Sequence, residues 1–138
     1  MLDTQTYSET TTVASSKDVM RGLLVEDSAV FALDLLLYLE ECGVDDMVWV
    51  QSGKAARKLA ESENFDFAIF DLQLEDGRTG AKTAADLSDR VGKLMVFSGT
   101  SPEAIKELSG TPHIFIPKPG SAKIIADILG LPATKIPS

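Results

Sequence analysis

Phe67-Ala68-Ile69-Phe70-Asp71 decides how the rest of this chain is read. Apolar residues follow one another without a break and then stop on a carboxylate. A strand needs such an unbroken run when helices cover both faces of its sheet, because neither side meets water. Working outward, the same pattern returns. Gly22-Leu23-Leu24-Val25 runs into Glu26-Asp27-Ser28, and Met47 to Val50 runs into a polar turn. Leu94 to Phe97 leads to Ser98-Gly99-Thr100, and Ile114-Phe115-Ile116 leads through Pro117 to Lys118-Pro119.

Helical patterns fill the gaps. Ala29 to Glu41 carries Val30, Leu33, Leu37 and Tyr38 near helical spacing and should stop at Cys42-Gly43, where glycine can take the left-handed cap. Ser52 offers an N-cap to a helix over Ala55, Ala56, Leu59 and Ala60 that frays by Asn64. Further helices are expected over roughly Gly80 to Arg90, from Ser101-Pro102-Glu103 as a short segment, and over Ser121 to Leu129. Short apolar strands alternating with helices predict a doubly wound α/β domain with a parallel sheet of five strands.

In that architecture sites form outside the carboxyl ends of the strands. Glu26 and Asp27, Asp71, Ser98 and Lys118 are therefore candidates to meet on one rim. Crowded carboxylates cannot all stay ionised without a cation, and an all-oxygen donor set suits Mg²⁺. With the charge neutralised by metal and by Lys118, a carboxylate such as Asp71 can attack phosphorus and hold an acyl phosphate. Ser98 can donate to a phosphoryl oxygen, and Gly99 leaves room for the group to approach.

The bulk properties exclude several other classes. The 138 residues suffice for one domain, and 44% hydrophobic with 25% charged residues is the profile of a globular protein. A net charge of −8 with scattered Lys and Arg opposes direct nucleic-acid binding. No apolar run approaches the ~20 residues that cross a bilayer, so no membrane insertion is expected. The single Cys42 and the lack of a signal-peptide pattern point to the cytoplasm. Residues 1–18, rich in Ser and Thr, read as a disordered arm, and 132–138 as a C-terminal tail, leaving 19–131 as the domain.

From Arg21 to about Leu131 the chain resembles the response-regulator receiver domains of the CheY-like superfamily. Glu26-Asp27, Asp71, Ser98 and Lys118-Pro119 stand where that family keeps its acid pair, phosphoacceptor, switch hydroxyl and lysine. The resemblance implies a flavodoxin-like (βα)5 fold with strand order 2-1-3-4-5. It implies Mg²⁺ held by Asp27, Asp71 and the backbone carbonyl of Gln73, with Glu26 acting through water. Lys118 would pair with the phosphoryl oxygens, Ser98 and Phe115 would form the switch, and Gln73 and Thr100 would occupy the positions that tune phosphoryl lifetime. A cis Lys118-Pro119 bond is also implied.

The function so implied is that of a single-domain response regulator, since a chain ending at Ser138 leaves no room for an output domain. Asp71 would take phosphate from a sensor histidine kinase or a histidine phosphotransfer protein, and a downstream protein would read the result. A homodimer stays open. The chemistry is autocatalytic, on its own aspartate, so the chain is not expected to be an enzyme acting on others. Departures from the family pattern fall on the output side: Glu75 replaces a usual proline, Pro117 is unusual before Lys118, and the helix after Ser101 is short. Two other classes compete. A phosphorylation-independent interaction module would not need the intact acids and lysine, and an aspartate-nucleophile phosphatase needs a second acid where Gln73 stands. His113 reads as a polar residue at a strand start, Cys42 as a helix-end residue near the core, and Val48 and Trp49 as sheet packing.

Overall fold

The structure is a computed structural model that describes residues 20–72, 79–97, 106–117 and 121–131. The expected N-terminal arm, the C-terminal tail and the start of the helix at Ser101 lie outside the described residues. The elements are β1 (Arg21–Val25), α1 (Ala29–Glu41), β2 (Asp46–Val50), α2 (Gly53–Ala60), β3 (Phe65–Asp71), α3 (Thr79–Leu87), β4 (Val91–Phe97), β5 (Ile114–Ile116) and α4 (Ser121–Ile128). All pairings are parallel, as the alternating pattern predicts, and the order is β2-β1-β3-β4-β5, the flavodoxin-like arrangement that the resemblance implies.

Alternation along the strands splits the core in two. Leu23, Val25, Ala68, Phe70, Leu94 and Val96 pack with Ala56, Ala60, Ala81 and Ala84 of α2 and α3. Leu24, Phe67, Ile69, Met95, Phe97 and Ile116 pack with Ala32, Leu35, Leu39 and Ile125 of α1 and α4. Side chains on successive strand positions point to opposite faces, so each central strand feeds both layers.

Local signals set the element ends. Ser28 caps α1 by accepting from the Phe31 N–H at 3.3 Å, and Ser52 caps α2 by accepting from Ala55 N–H at 3.1 Å. Gly43 follows α1 at φ 106°, where a side chain would be strained. The helix expected to reach Arg90 ends at Leu87 instead and tightens into a 3₁₀ turn over Ser88–Arg90, with the Ser88 hydroxyl donating to Ala85 O at 2.8 Å.

Two expectations need correction. The apolar spacing Val30, Leu33, Leu37 lies on the outer side of α1, at 84%, 52% and 61% exposure, while Ala32, Leu35 and Leu39 face the sheet. Strand five is also not covered on both faces. Ile114 and Phe115 are exposed because β5 is an edge strand, and Ile116 alone is buried. Four more strands, β1, β2, β3 and β4, begin one to three residues earlier than the apolar runs suggest, since pairing continues through polar positions as in Arg21↔Asp46 and Phe67↔Lys93.

Candidate functional site

Because the strands are parallel, β1 and β3 end side by side, with Val25 in register with Phe70. The next residues, Glu26-Asp27 on one strand and Asp71 on the other, are thereby delivered to the same point. Each offers a carboxylate oxygen, and these oxygens lie within 4.8 Å of one another. Glu26 is fully buried, Asp71 is 5% exposed, and Asp27 lies between buried and exposed. The sequence expectation that this acid pair and this aspartate meet is met.

The turn that carries the pair is held at several points. The Glu26 N–H donates to Val50 O at 3.0 Å, extending the β1–β2 ladder past its last strand residue. The Ser28 N–H donates to Glu26 Oε2 at 3.0 Å, and Trp49 Nε1–H donates to the Glu26 carbonyl at 2.8 Å. Ser28 then starts α1. Gly80, near the start of α3, sits where an added Cβ would come 3.0 Å from Leu72 O and 3.2 Å from Asp71 O, so a side chain here would press on the main chain at the end of β3.

A cluster of hard oxygen donors, two of them carried on adjacent residues and two nearly or fully removed from solvent, is a fitting cradle for a small divalent cation. Gathering like charges at this distance is unfavourable unless a cation, a proton or nearby donors compensate.

The remaining expected site residues divide. Gln73, Ser98, Thr100, Lys118 and Pro119 lie outside the described residues, as does Glu75. Phe115 is described: it is 45% exposed on β5, and its ring meets that of His113 edge to face with centroids 4.9 Å apart. His113 Nδ1 lies 2.5 Å from Thr111 O just before β5, as a polar residue at a strand start should. Cys42 caps α1 and is buried, and burial followed by the charge of Glu41 pushes its thiol pKa up.

Sequence reasoning missed two residues that shape the site. Ser28 was legible as an N-cap directly before an apolar helix. Trp49 was not: its role beyond packing comes from the parallel register, which brings the edge strand alongside the end of β1.

No family model matches the sequence, and no curated protein is similar to it in sequence. Solved structures do match. The receiver domain of a sensor histidine kinase from Pseudomonas aeruginosa, with a magnesium ion coordinated in its active-site cleft, aligns at TM-score 0.65 and 19% identity over 80% of this chain and 94% of that one. A chemotaxis protein of Vibrio cholerae aligns at TM-score 0.69 and 19% identity over 81% and 97%. A response regulator from Burkholderia pseudomallei, with a phosphorylated aspartic acid and a calcium ion, aligns at TM-score 0.64 and 28% identity over 78% of this chain and 65% of that one. The fold is that of the CheY-like response-regulator receiver domains. Among the described residues no helix is long and apolar enough to cross a membrane.

Proposed function

We propose that this chain is a phosphoryl-accepting receiver that takes its phosphate on Asp71 and signals through protein contacts. The observation that carries the reading is the convergence of Glu26, Asp27 and Asp71 within 4.8 Å at the carboxyl ends of β1 and β3. Its neighbours support it: one holds magnesium in its cleft and another carries a phosphorylated aspartic acid.

The donor's phosphorus is attacked by an Asp71 carboxylate oxygen. As the oxygen–phosphorus bond forms, the bond from phosphorus to the donor breaks, and its electron pair leaves with the donor, an imidazole if the donor is a phosphohistidine. A divalent cation, Mg²⁺ when bound, supplies neutralisation of the phosphoryl charge, and Asp27, Asp71 and the Gln73 carbonyl would hold it, with Glu26 acting through water. Lys118 would compensate the added phosphoryl charge and Ser98 would donate its hydroxyl to a phosphoryl oxygen. Phe115 would follow Ser98 between outward and inward rotamers, and Gln73 and Thr100 would set how long the acyl phosphate survives.

The phosphodonor must sit over the rim, and α1 begins there, directly after the acid pair. Its exposed Val30, Leu33 and Leu37 form an apolar stripe beside the exposed Asp34. A helix of a kinase or phosphotransfer protein with an apolar face would fit against it.

Incubating the protein with Mg²⁺ and a small acyl-phosphate donor, followed by intact mass, tests the reading. The wild type should gain one phosphoryl group and Asp71→Ala none. A wild-type protein that never gains mass, whether offered a small donor or a phosphorylated kinase, contradicts it.

A further inference from the structure

Glu26 is fully buried, so its main-chain carbonyl has no route to bulk water. The indole N–H of Trp49 reaches that carbonyl from the neighbouring strand at 2.8 Å. Trp49 is the only tryptophan of the chain and lies on β2, the edge strand opposite β5, in register with Leu24. It is half-buried and packs against the layer beneath α1 and α4. The next β2 residue, Val50, accepts the Glu26 N–H at 3.0 Å. Two consecutive residues of one edge strand therefore hold both sides of Glu26, one from each of its peptide groups.

The peptide that joins Glu26 to Asp27 is planar, so a donor fixed on its carbonyl fixes the whole group. That group sets the direction in which the Asp27 side chain leaves the main chain, toward Glu26 and Asp71. We infer that Trp49 is a positioning residue for divalent-cation binding, acting through the Glu26–Asp27 peptide. The inference rests on the cation reading given under the proposed function. It assigns to a packing residue a hydrogen bond that sets ligand geometry, and outer partners of this kind control how well the inner ligands bind.

Binding of Mg²⁺ alone is measured by calorimetry in three proteins: wild type, Trp49→Phe and Val48→Ala. Trp49→Phe keeps an aromatic ring and removes the donor. Val48→Ala trims a partly buried side chain on the same strand that packs against the other layer, so it weakens β2 without touching the hydrogen bond. Urea midpoints without metal record the stability of each. Trp49→Phe should raise the Mg²⁺ Kd on the order of ten-fold, while Val48→Ala should leave it within about two-fold whatever its urea midpoint. In the wild type, Trp49 emission should change with the same half-saturation as the calorimetric titration. The inference is overturned by a Trp49→Phe Kd within about two-fold of wild type, by an equal loss in Val48→Ala, or by emission that ignores Mg²⁺. A wild type that binds no Mg²⁺ overturns the cation reading as well, whereas normal wild-type binding with an unaltered Trp49→Phe overturns the role of Trp49 alone.

Discussion

At the amino-terminal end of the sheet Asp46, Glu63 and Asp66 stand around Arg21, and at the carboxyl-terminal end Glu26, Asp27 and Asp71 stand around one another. Arg21 is shared at the lower end. Its guanidinium meets Asp46 at 3.0 Å and also Glu63, its main-chain N–H donates to Asp66 Oδ2 at 2.7 Å, and it lies 5.3 Å from the centre of the Phe65 ring. Burial alone would push the Arg21 pKa down, but its bonds to Asp46 and Glu63 outweigh that and leave it raised. The lower cluster thus carries its own cation and ties the starts of β1, β2 and β3 together. The upper cluster turns the same side-chain chemistry inward on an almost buried point. Three carboxylates gather at each end: Arg21 ties the lower three into the structure, and the upper three form a set of hard oxygen donors that fits a divalent cation.

The sharpest way to break this contrast is to measure cation binding after changes at each end. Asp27→Asn and Asp71→Asn remove a charged oxygen donor from the upper cluster and should each weaken Mg²⁺ binding by at least about ten-fold. Arg21→Ala, at the far end of β1, should leave the Kd unchanged. Calorimetric titration checks both, and an equal loss in Arg21→Ala would mean that the lower cluster also governs the upper one.

How much of this could be read from the chain depends on whether a residue is marked by its neighbours in sequence or in space. Glu26, Asp27 and Asp71 are marked in sequence, because the pair Glu26-Asp27 and the single Asp71 each close an apolar run, and adjacent parallel strands then bring them together. Arg21, Asp46, Glu63 and Asp66 look like ordinary surface charges, and only register brings them together. Trp49 was hidden for the same reason. In α1 the helix was legible but its buried face was not: Val30 to Leu39 is apolar at nearly every position, so periodicity had no polar face to contrast and favoured the wrong stripe. The exposure of Ile114 and Phe115 followed from an edge position that the strand pattern of β5 does not announce. Ser98, Lys118 and Gln73 were named from sequence and lie outside the described residues.

A second comparison uses stability without metal, and the two ends should move in opposite directions. Arg21→Ala takes the guanidinium from Asp46 and Glu63 while keeping the main-chain N–H that holds Asp66, and should cost about 1–2 kcal/mol, more than a lone exposed pair because two partners are lost together. Asp71→Asn relieves like-charge crowding at the upper end and should stabilise the metal-free fold by about 1 kcal/mol. Urea unfolding in chelator reports both. Saturating Mg²⁺ should reverse the order of wild type and Asp71→Asn, since only the wild type gains binding energy from the cation.

The smallest expected effect belongs to Cys42, the buried C-cap of α1, which precedes the start of β2 at Asp46. Burial, then the nearby charge of Glu41, raises its thiol pKa in the folded state. A folded pKa above the unfolded one means that the folded protein holds the proton more tightly. The associated stability is therefore full below the unfolded thiol pKa and is lost as pH rises through the folded one. Arg21 stays charged across that range because its own pKa is raised. Wild-type stability should therefore decline slightly on the alkaline side of the ordinary thiol range, and Cys42→Ala should flatten the decline while its neutral-pH stability falls or holds. If the alkaline slope survives in Cys42→Ala but disappears in Arg21→Ala, the lower cluster and not the thiol is the alkaline-sensitive part of this end of the sheet.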